Sequence, residues 1–507
     1  MAAVKQLAGQ TLWYGMSSVA ARLLNSLLIP ILSYLLSSSQ GMIDLGGVSL
    51  IYAYFAVLNV IFTYGMETAY FRFCAADKEN RKQIFNTAFG SLLISTIIFC
   101  ILLYLLRVPI EQFVELGGHT EYITLAAIIL FFDTLQTIPF ALLRQENKPR
   151  KYAFIKVFGI VLNILAVIFF IVLVPKLAQQ DPNGFFADLG RQFNVVSFVL
   201  LANLLQSVFV FLMLFQEWRQ FSIRFDTALW QKMFRYSSPM IIIGLAGMVN
   251  EVIDRQMLVK LIDGSKDYAM KIQAIYSQNY KLSIVITLFV TAFRMAAEPF
   301  FFSKSQDKNA PELYAKVMKW FVITVCLAFL TTALFIDDVW KYYMGPSYRS
   351  GLYIVPVLLI ANVFSGIYYN LSIWYKITDK MRIGIYITVF GAIITFVGNY
   401  LFIPKFEMLA AAWTTLVCYF SMVIVCYIWG QKYYPIPYPM KRILTYLIAI
   451  VLLFLIHKGI IGYLLPHANV YMRLGSGILW FVCFLLLILK LERKELASMP
   501  LIGKFLK

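Results

Sequence analysis

The sequence predicts an all-α polytopic membrane protein with about 14 transmembrane helices. Three observations predict it. Of 507 residues, 61% are hydrophobic and 14% charged, and the mean hydropathy is +0.74, whereas a soluble chain is about half apolar and about a quarter charged. The apolar residues fall in runs of about 20, the number that crosses the hydrocarbon core as a helix. Those runs occupy roughly 300 residues, and no gap between them reaches the ~50 residues of a separate domain. No appended catalytic or binding domain is therefore expected.

In chain order, and to within several residues, span 1 covers 12–36. It follows a weakly charged start and carries Arg22, with no small-residue cleavage pattern, so it reads as a spanning helix and not a removable signal peptide. Spans 2 to 6 cover 47–70, 84–106, 121–143, 153–174 and 194–215; spans 7 to 12 cover 238–260, 272–297, 312–336, 350–374, 383–403 and 407–429; spans 13 and 14 cover 443–461 and 473–490. Basic clusters recur after pairs of spans, as helical hairpins require: Arg72 to Lys82, Arg144 to Lys151, Lys376 to Arg382, and Lys441 with Arg442. About 28 Lys and Arg fall on the side of the termini and about 11 on the other, which predicts cytoplasmic termini and an external connection from Pro175 to Gln192.

The net charge of +18 is thereby explained by orientation and contact with anionic lipid, and no nucleic-acid partner is expected. The six cysteines form no CxxC pair and the three histidines no HExxH spacing, so neither a disulfide framework nor a metal site is expected.

The two halves look related. Lys148 and Arg150 recur as Lys380 and Arg382, Val157-Phe158-Gly159 as Val389-Phe390-Gly391, and Val174-Pro175-Lys176 as Ile403-Pro404-Lys405. The period is about six spans, and an even number makes the halves parallel, related by an axis along the membrane normal. The expected organisation is a lobe of spans 1 to 6 over 1–220, a second lobe of spans 7 to 12 over 221–430, and spans 13 and 14 with a cytoplasmic tail over 431–507.

Arg22, Arg255, Lys281 and Arg294 fall inside spans, where a charge costs about 2.5 to 3.5 kcal/mol near a helix centre and must face protein or water. Ser18, Arg22 and Asn25 share one face of span 1. Gln273, Ser277, Lys281, Thr287, Thr291, Arg294 and Glu298 are expected to form one polar stripe along span 8. Gly244, Gly247, Glu251 and Arg255 lie on one face of span 7, with Asn250 and Asp254 alongside. Glu251 with Arg255, and Arg294 with Glu298, stand i, i+4 apart and are able to pair; Arg22 and Lys281 have no acid at i±3 or i±4. A cationic cavity between two lobes suits an anion that must cross. Asp133, Asn163, Asn362 and Asn370, and the face Asn59, Thr63 and Glu67, read as helix-to-helix hydrogen bonding. If transport is ion-coupled, Asp254 is the expected coupling carboxylate and Glu251 the alternative, because both lie deep in a span beside glycines that permit local unwinding.

The stretch Gly398-Asn399-Tyr400-Leu401-Phe402-Ile403-Pro404-Lys405-Phe406, followed by Ala410-Ala411-Ala412-Trp413-Thr414-Thr415, resembles the signature of the polysaccharide transporter branch of the multidrug/oligosaccharidyl-lipid/polysaccharide flippase superfamily. Asp254 to Leu258, Ile275 to Leu282 and Gly65 to Phe73 support it, and the similarity runs along nearly the whole chain. It departs at Glu407 and Ala410, where that branch usually has Gly, and in a longer connection from Pro175 to Gln192.

The resemblance implies a flippase that moves an undecaprenyl-diphosphate-linked oligosaccharide across the bacterial inner membrane by alternating access. Arg22, Asn25, Arg255, Lys281 and Arg294 are then the expected substrate-binding residues, with Arg294 nearest the cytoplasmic gate. A lipid II flippase and a drug/cation antiporter of the same superfamily remain alternatives. An enzyme acting on lipid-linked sugars is disfavoured, since the longest outer connection is about 19 residues and leaves little room for an acid–base site. Expected partners are the lipid-linked sugar, membrane lipids and other polysaccharide-assembly proteins. The chain is expected to be a monomer with no cofactor beyond a coupling H⁺ or Na⁺.

Overall fold

The structure, a computed structural model, describes residues 20, 23–77, 79–146, 148–304, 307–378, 380–464, 467 and 469–497, apart from the side chains of 295, 296, 298, 299, 302–304 and 464. Every regular element among them is helical, and 11 helices are long and apolar enough to cross a membrane. Three further spans of the sequence reading account for the difference from fourteen. Span 1 is described only as the short apolar helix from Leu23 to Leu35. Span 8 is split into Lys266–Tyr280 and Ile284–Lys304 by a 3-10 turn at Lys281–Ser283. Spans 11 and 12 are joined in the 53-residue element Met381–Tyr433, which is kinked at Glu407.

The sequence shows why the helices start where they do. Ser38 accepts a hydrogen bond from the Gly41 amide, Asn194 from Ser197, Asp226 from Leu229 and Asn469 from Met472, at 2.9 to 3.0 Å. Each such cap satisfies an otherwise orphaned helix donor and contributes about 1 kcal/mol. Span 2 runs from Ser39 through a break at Tyr64 and Gly65, whose φ values are 34° and 69°, and resumes as Met66–Ala76. Span 5 widens into a π turn at Phe169–Leu173 just before Pro175, which accommodates a ring that cannot donate to, and would clash with, the preceding turn. The connection expected as a loop from Pro175 to Gln192 is largely helical, as Val174–Gln180 and Phe185–Gln192.

The two related stretches begin alike: Lys148 and Lys380 occupy the N-cap positions of Pro149–Ile168 and of the helix that starts at Met381, neither making a side-chain cap bond. The chain divides into two compact units, Met1–Gln278 with Arg382–Thr414, and Asn279–Met381 with Thr415–Lys507. In unit 1 a core of Met66, Tyr70, Phe85, Phe89, Leu92 and Ile138 is buried. In unit 2 Phe301, Tyr314 and Ile373 centre another. Ile98, Leu165, Phe402 and Leu455 are each at least half exposed, which suits helices whose outer face meets lipid rather than water.

Glu407 has φ 46° and ψ −127°, a conformation that disfavours any side chain bearing a Cβ. It occupies the position where the resembled branch carries Gly. The kink brings Gly398 against Thr414, where a Cβ would meet Thr414 Cγ2 at 2.8 Å. The Glu407 side chain accepts a hydrogen bond from Tyr268 at 2.9 Å, which both Glu407→Gly and Glu407→Ala remove. The Gly variant is expected to be the more stable of the two by about 1 kcal/mol. In an ordinary helix the order reverses, so thermal unfolding in detergent with Ala above Gly would show that the kink is unstrained.

Candidate functional site

In unit 1, spans 7, 8 and 11 enclose a polar cluster built on Asp254, which is 2% exposed. Its Oδ1 accepts from the Arg255 amide at 2.8 Å and from Arg255 Nη1 at 3.3 Å; Tyr276 donates its hydroxyl proton to Oδ2. One turn earlier Asn250 donates to the Thr388 carbonyl and accepts from Thr395 Oγ1, both at 3.4 Å. Asn399, from the signature stretch, is fully buried, and neither amide atom has a hydrogen-bond partner among the described residues. A carboxylate beside hydroxyls and amides in dry protein can hold a proton or a small cation, because little water competes for the charge.

Asp254 and Arg255, expected in separate roles, are thus one ion pair. Arg255 also donates to the Glu251 backbone carbonyl at 2.7 Å. The glycines of span 7 do not unwind it: Thr227–Leu261 is a continuous helix, and Gly244 instead permits close packing, since a Cβ there would meet Val60 at 2.7 Å. The departure from α-helical geometry lies in span 8, at Lys281–Ser283, and it is a tightening into a 3-10 turn.

That break also corrects the single stripe expected along span 8. A 3-10 turn advances about 120° per residue against 100° in an α-helix, so residues before and after Lys281 no longer share one arc. Gln273 and Ser277 are buried, and Gln273 donates to Ser277 at 3.0 Å. Lys281, Thr287 and Thr291 are half-buried, the two threonines bonding carbonyls of their own helix. In unit 2 the exposed Arg294 lies over the Tyr369 ring, 5.3 Å from its centroid; the Glu298 side chain, its expected partner, lies outside those described. Arg22 also lies outside the described residues, and Asn25 is exposed.

Several polar groups were missed or set aside by sequence reasoning. Asp133 accepts from Ser207 at 2.6 Å, and Gln136 donates to the Ser207 carbonyl at 2.8 Å. Asn163 donates to Gln206 and Asn203 to Tyr52, the helix-to-helix role expected of such amides. In unit 2 Lys319, inside span 9 and 3% exposed, contacts Glu492 at 2.6 Å and Glu495 at 2.5 Å. Burial pushes the Glu495 carboxyl up, but the Lys319 hydrogen bond and the Lys319 and Lys316 charges together hold it below its usual range. A lysine in an apolar run was the available signal. Unit 1 also carries an open cavity of about 840 Å³ where the connections after spans 1, 3, 5 and 7 meet, lined by Asp44, His119, Tyr122, Arg191, Asn194 and Lys266 among others.

Comparison with known proteins places this geometry. The family described as "Polysaccharide biosynthesis protein" matches residues 7–306, which is more than half of the chain. Among solved structures the chain is similar to the lipid II flippase MurJ in an inward closed conformation, at 13% identity and a TM-score of 0.70, over 94% of this chain and 98% of that one. It is similar to an inward-facing multidrug resistance MATE family transporter of the MOP superfamily, at 16% identity and a TM-score of 0.56, over 86% and 95%. It is also similar to a MOP superfamily transporter from Pyrococcus furiosus, at 16% identity and a TM-score of 0.55, over 85% and 95%. A search of curated proteins returned no match. The fold is that of these transporters.

Proposed function

The chain belongs to the polysaccharide biosynthesis protein family, and we propose that it flips an undecaprenyl-diphosphate-linked oligosaccharide from the cytoplasmic to the outer leaflet of a bacterial inner membrane. The reading rests chiefly on one observation: a helix break that sets Lys281, half-buried, in the middle of an otherwise membrane-length segment. A cation at that depth must face protein, water or a ligand rather than lipid, which suits a polar path for an anion, and the 3-10 turn gives its helix a place to bend. Arg294 is a second cation on the same span, Arg22 of span 1 is a further candidate for contact with the diphosphate, and alternating access of the two repeat-related lobes moves the substrate. The excess of Lys and Arg in the connections on the side of the termini supports a cytoplasmic location for both. The fold shared with a lipid II flippase favours a second reading, in which the lipid-linked sugar is a cell-wall precursor.

Lys281→Ala and Arg22→Ala are each expected to abolish surface-glycan export at normal protein level. The measurement is glycan on the surface of cells whose own copy is deleted and which carry the variant. Normal export by both variants would remove the cationic path. If deleting the gene spares the surface glycan but depletes peptidoglycan, the second reading holds.

A further inference from the structure

The open cavity of unit 1 is bordered by neither Lys281 nor Asp254. Its volume of about 840 Å³ suits a ligand of several rings and far exceeds what an ion requires. It lies at the end of unit 1 that the asymmetry of Lys and Arg leaves external. Its polar lining is held in place before any ligand arrives. The Asn194 side chain accepts from the Ser197 amide at 3.0 Å and donates to the Tyr122 hydroxyl, and the His119 ring stacks on Tyr122 with centroids 4.8 Å apart. Gln40 donates to Asp44 at 3.1 Å, while Arg191 donates to Asp188 at 3.0 Å and to the Pro182 carbonyl at 2.6 Å. Side chains fixed in this way lose little freedom on binding. One wall is the helix Phe185–Gln192, which borders the cavity through Ala187, Gly190 and Arg191. These three fall within an arc of about 100° on that helix, and a Cβ at Gly190 would meet no atom within 4 Å.

We propose that this cavity binds the glycan of the lipid-linked substrate on the external side, as a station for the sugar before release. The proposal rests on the flippase reading and deepens it, by giving the sugar a site of its own in unit 1. Three features choose a sugar. Asp44, Glu115 and Asp267 stand against Arg191 and Lys266 around the cavity, a mixture of signs that favours a neutral or zwitterionic ligand over a diphosphate. Gln40, Asp44 and Asn194 carry planar polar groups with two hydrogen-bonding atoms each, which match neighbouring hydroxyls of one ring. Phe170 and Phe193 border the same space, and a pyranose alternates hydroxyls with C–H faces that lie well on such rings.

The probe is the water-soluble oligosaccharide freed by mild acid from the lipid-linked intermediate that accumulates when the gene is deleted. Its binding is measured on purified full-length protein in phosphatidylcholine nanodiscs, and wild type is expected to bind it. Gly190→Trp should occupy the space and weaken binding about tenfold or more, whereas Gly190→Ala should leave it unchanged. Because nothing crowds Gly190 and glycine is a poor helix former, both variants should unfold at or above the wild-type temperature. Asp44→Ala with Asp267→Ala should also weaken binding about tenfold. Unchanged binding in either Gly190→Trp or the double variant overturns the proposal. An equal loss in Gly190→Ala overturns it as well, since filled space would not be the cause, and equal binding of maltotetraose overturns it in favour of a general polyol cleft. If the intermediate accumulates but wild type binds none of the freed sugar, the glycan site falls and the flippase reading stands. If no lipid-linked intermediate accumulates, both fall.

Discussion

Glu492→Ala is expected to destabilise the protein by about 3 to 5 kcal/mol, the usual cost of stranding the partners of a buried ion pair. The Glu492 carboxylate is fully buried and accepts from Lys319 at 2.6 Å, Arg442 at 2.7 Å and Tyr446 at 2.8 Å. Glu495 accepts from Lys319 at 2.5 Å and from the Trp320 indole at 3.2 Å. This network joins span 9 to spans 13 and 14 at one end of unit 2. At the other end Arg473 donates to Asp338 at 2.8 Å and Lys458 pairs with Asp337. The C-terminal hairpin is therefore fastened to span 9 at both ends. Removing both charges, as Lys319→Met with Glu492→Leu, should cost clearly less than removing either alone, because no buried charge is left stranded. The check is the midpoint of thermal unfolding of the two single variants and the double one in detergent. Additive losses would mean that the pair is not coupled, and a loss under about 1 kcal/mol for Glu492→Ala would place it among weak surface contacts.

Span positions were legible in the sequence because crossing a hydrocarbon core requires about 20 consecutive apolar residues, a local property. The caps at Ser38 and Asp226 are local signals too, yet spans 2 and 7 were read from 47 and 238, inside helices that start at Ser39 and Thr227, because polar first turns lie outside the apolar run. What was not legible depends on partners distant in sequence. Lys319 finds its acids 173 and 176 residues away, so no i, i+4 rule reveals them. Asn370 resembled any amide that bridges helices, but its amide atoms find no hydrogen-bond partner among the described residues. The stripe on span 8 assumed one helical period throughout, which the turn at Lys281 interrupts. Glu407 shows the converse: a departure from the resembled signature, visible in the sequence, marks the residue whose backbone is strained.

Asp254→Asn is expected to remove the dependence of transport on an imposed H⁺ or Na⁺ gradient while leaving the protein folded. The carboxylate is held from both sides, by Arg255 on its own helix and by Tyr276 on the next. Tyr276 lies five residues before Lys281, where that helix breaks into a 3-10 turn. Ion binding at Asp254 would weaken its hold on Tyr276 and so bias the bend of span 8. Coupling requires such differential binding, since an ion with equal affinity for both conformations shifts no equilibrium. A tenfold gradient supplies about 1.4 kcal/mol per ion, enough to change a rate about tenfold if the coupled step limits it. Asn keeps the size of the side chain and a carbonyl able to accept from Tyr276, so yield should survive, and the ratio of transport with and without the gradient should fall to about one. Tyr276→Phe should lower the same ratio without abolishing it, because the carboxylate and its Arg255 contacts remain. The measurement is flipping of a fluorescent lipid-linked sugar by reconstituted protein under each imposed gradient. Undiminished gradient dependence in Asp254→Asn at normal yield would exclude Asp254 and leave Glu251, or a site outside this cluster, to carry the ion.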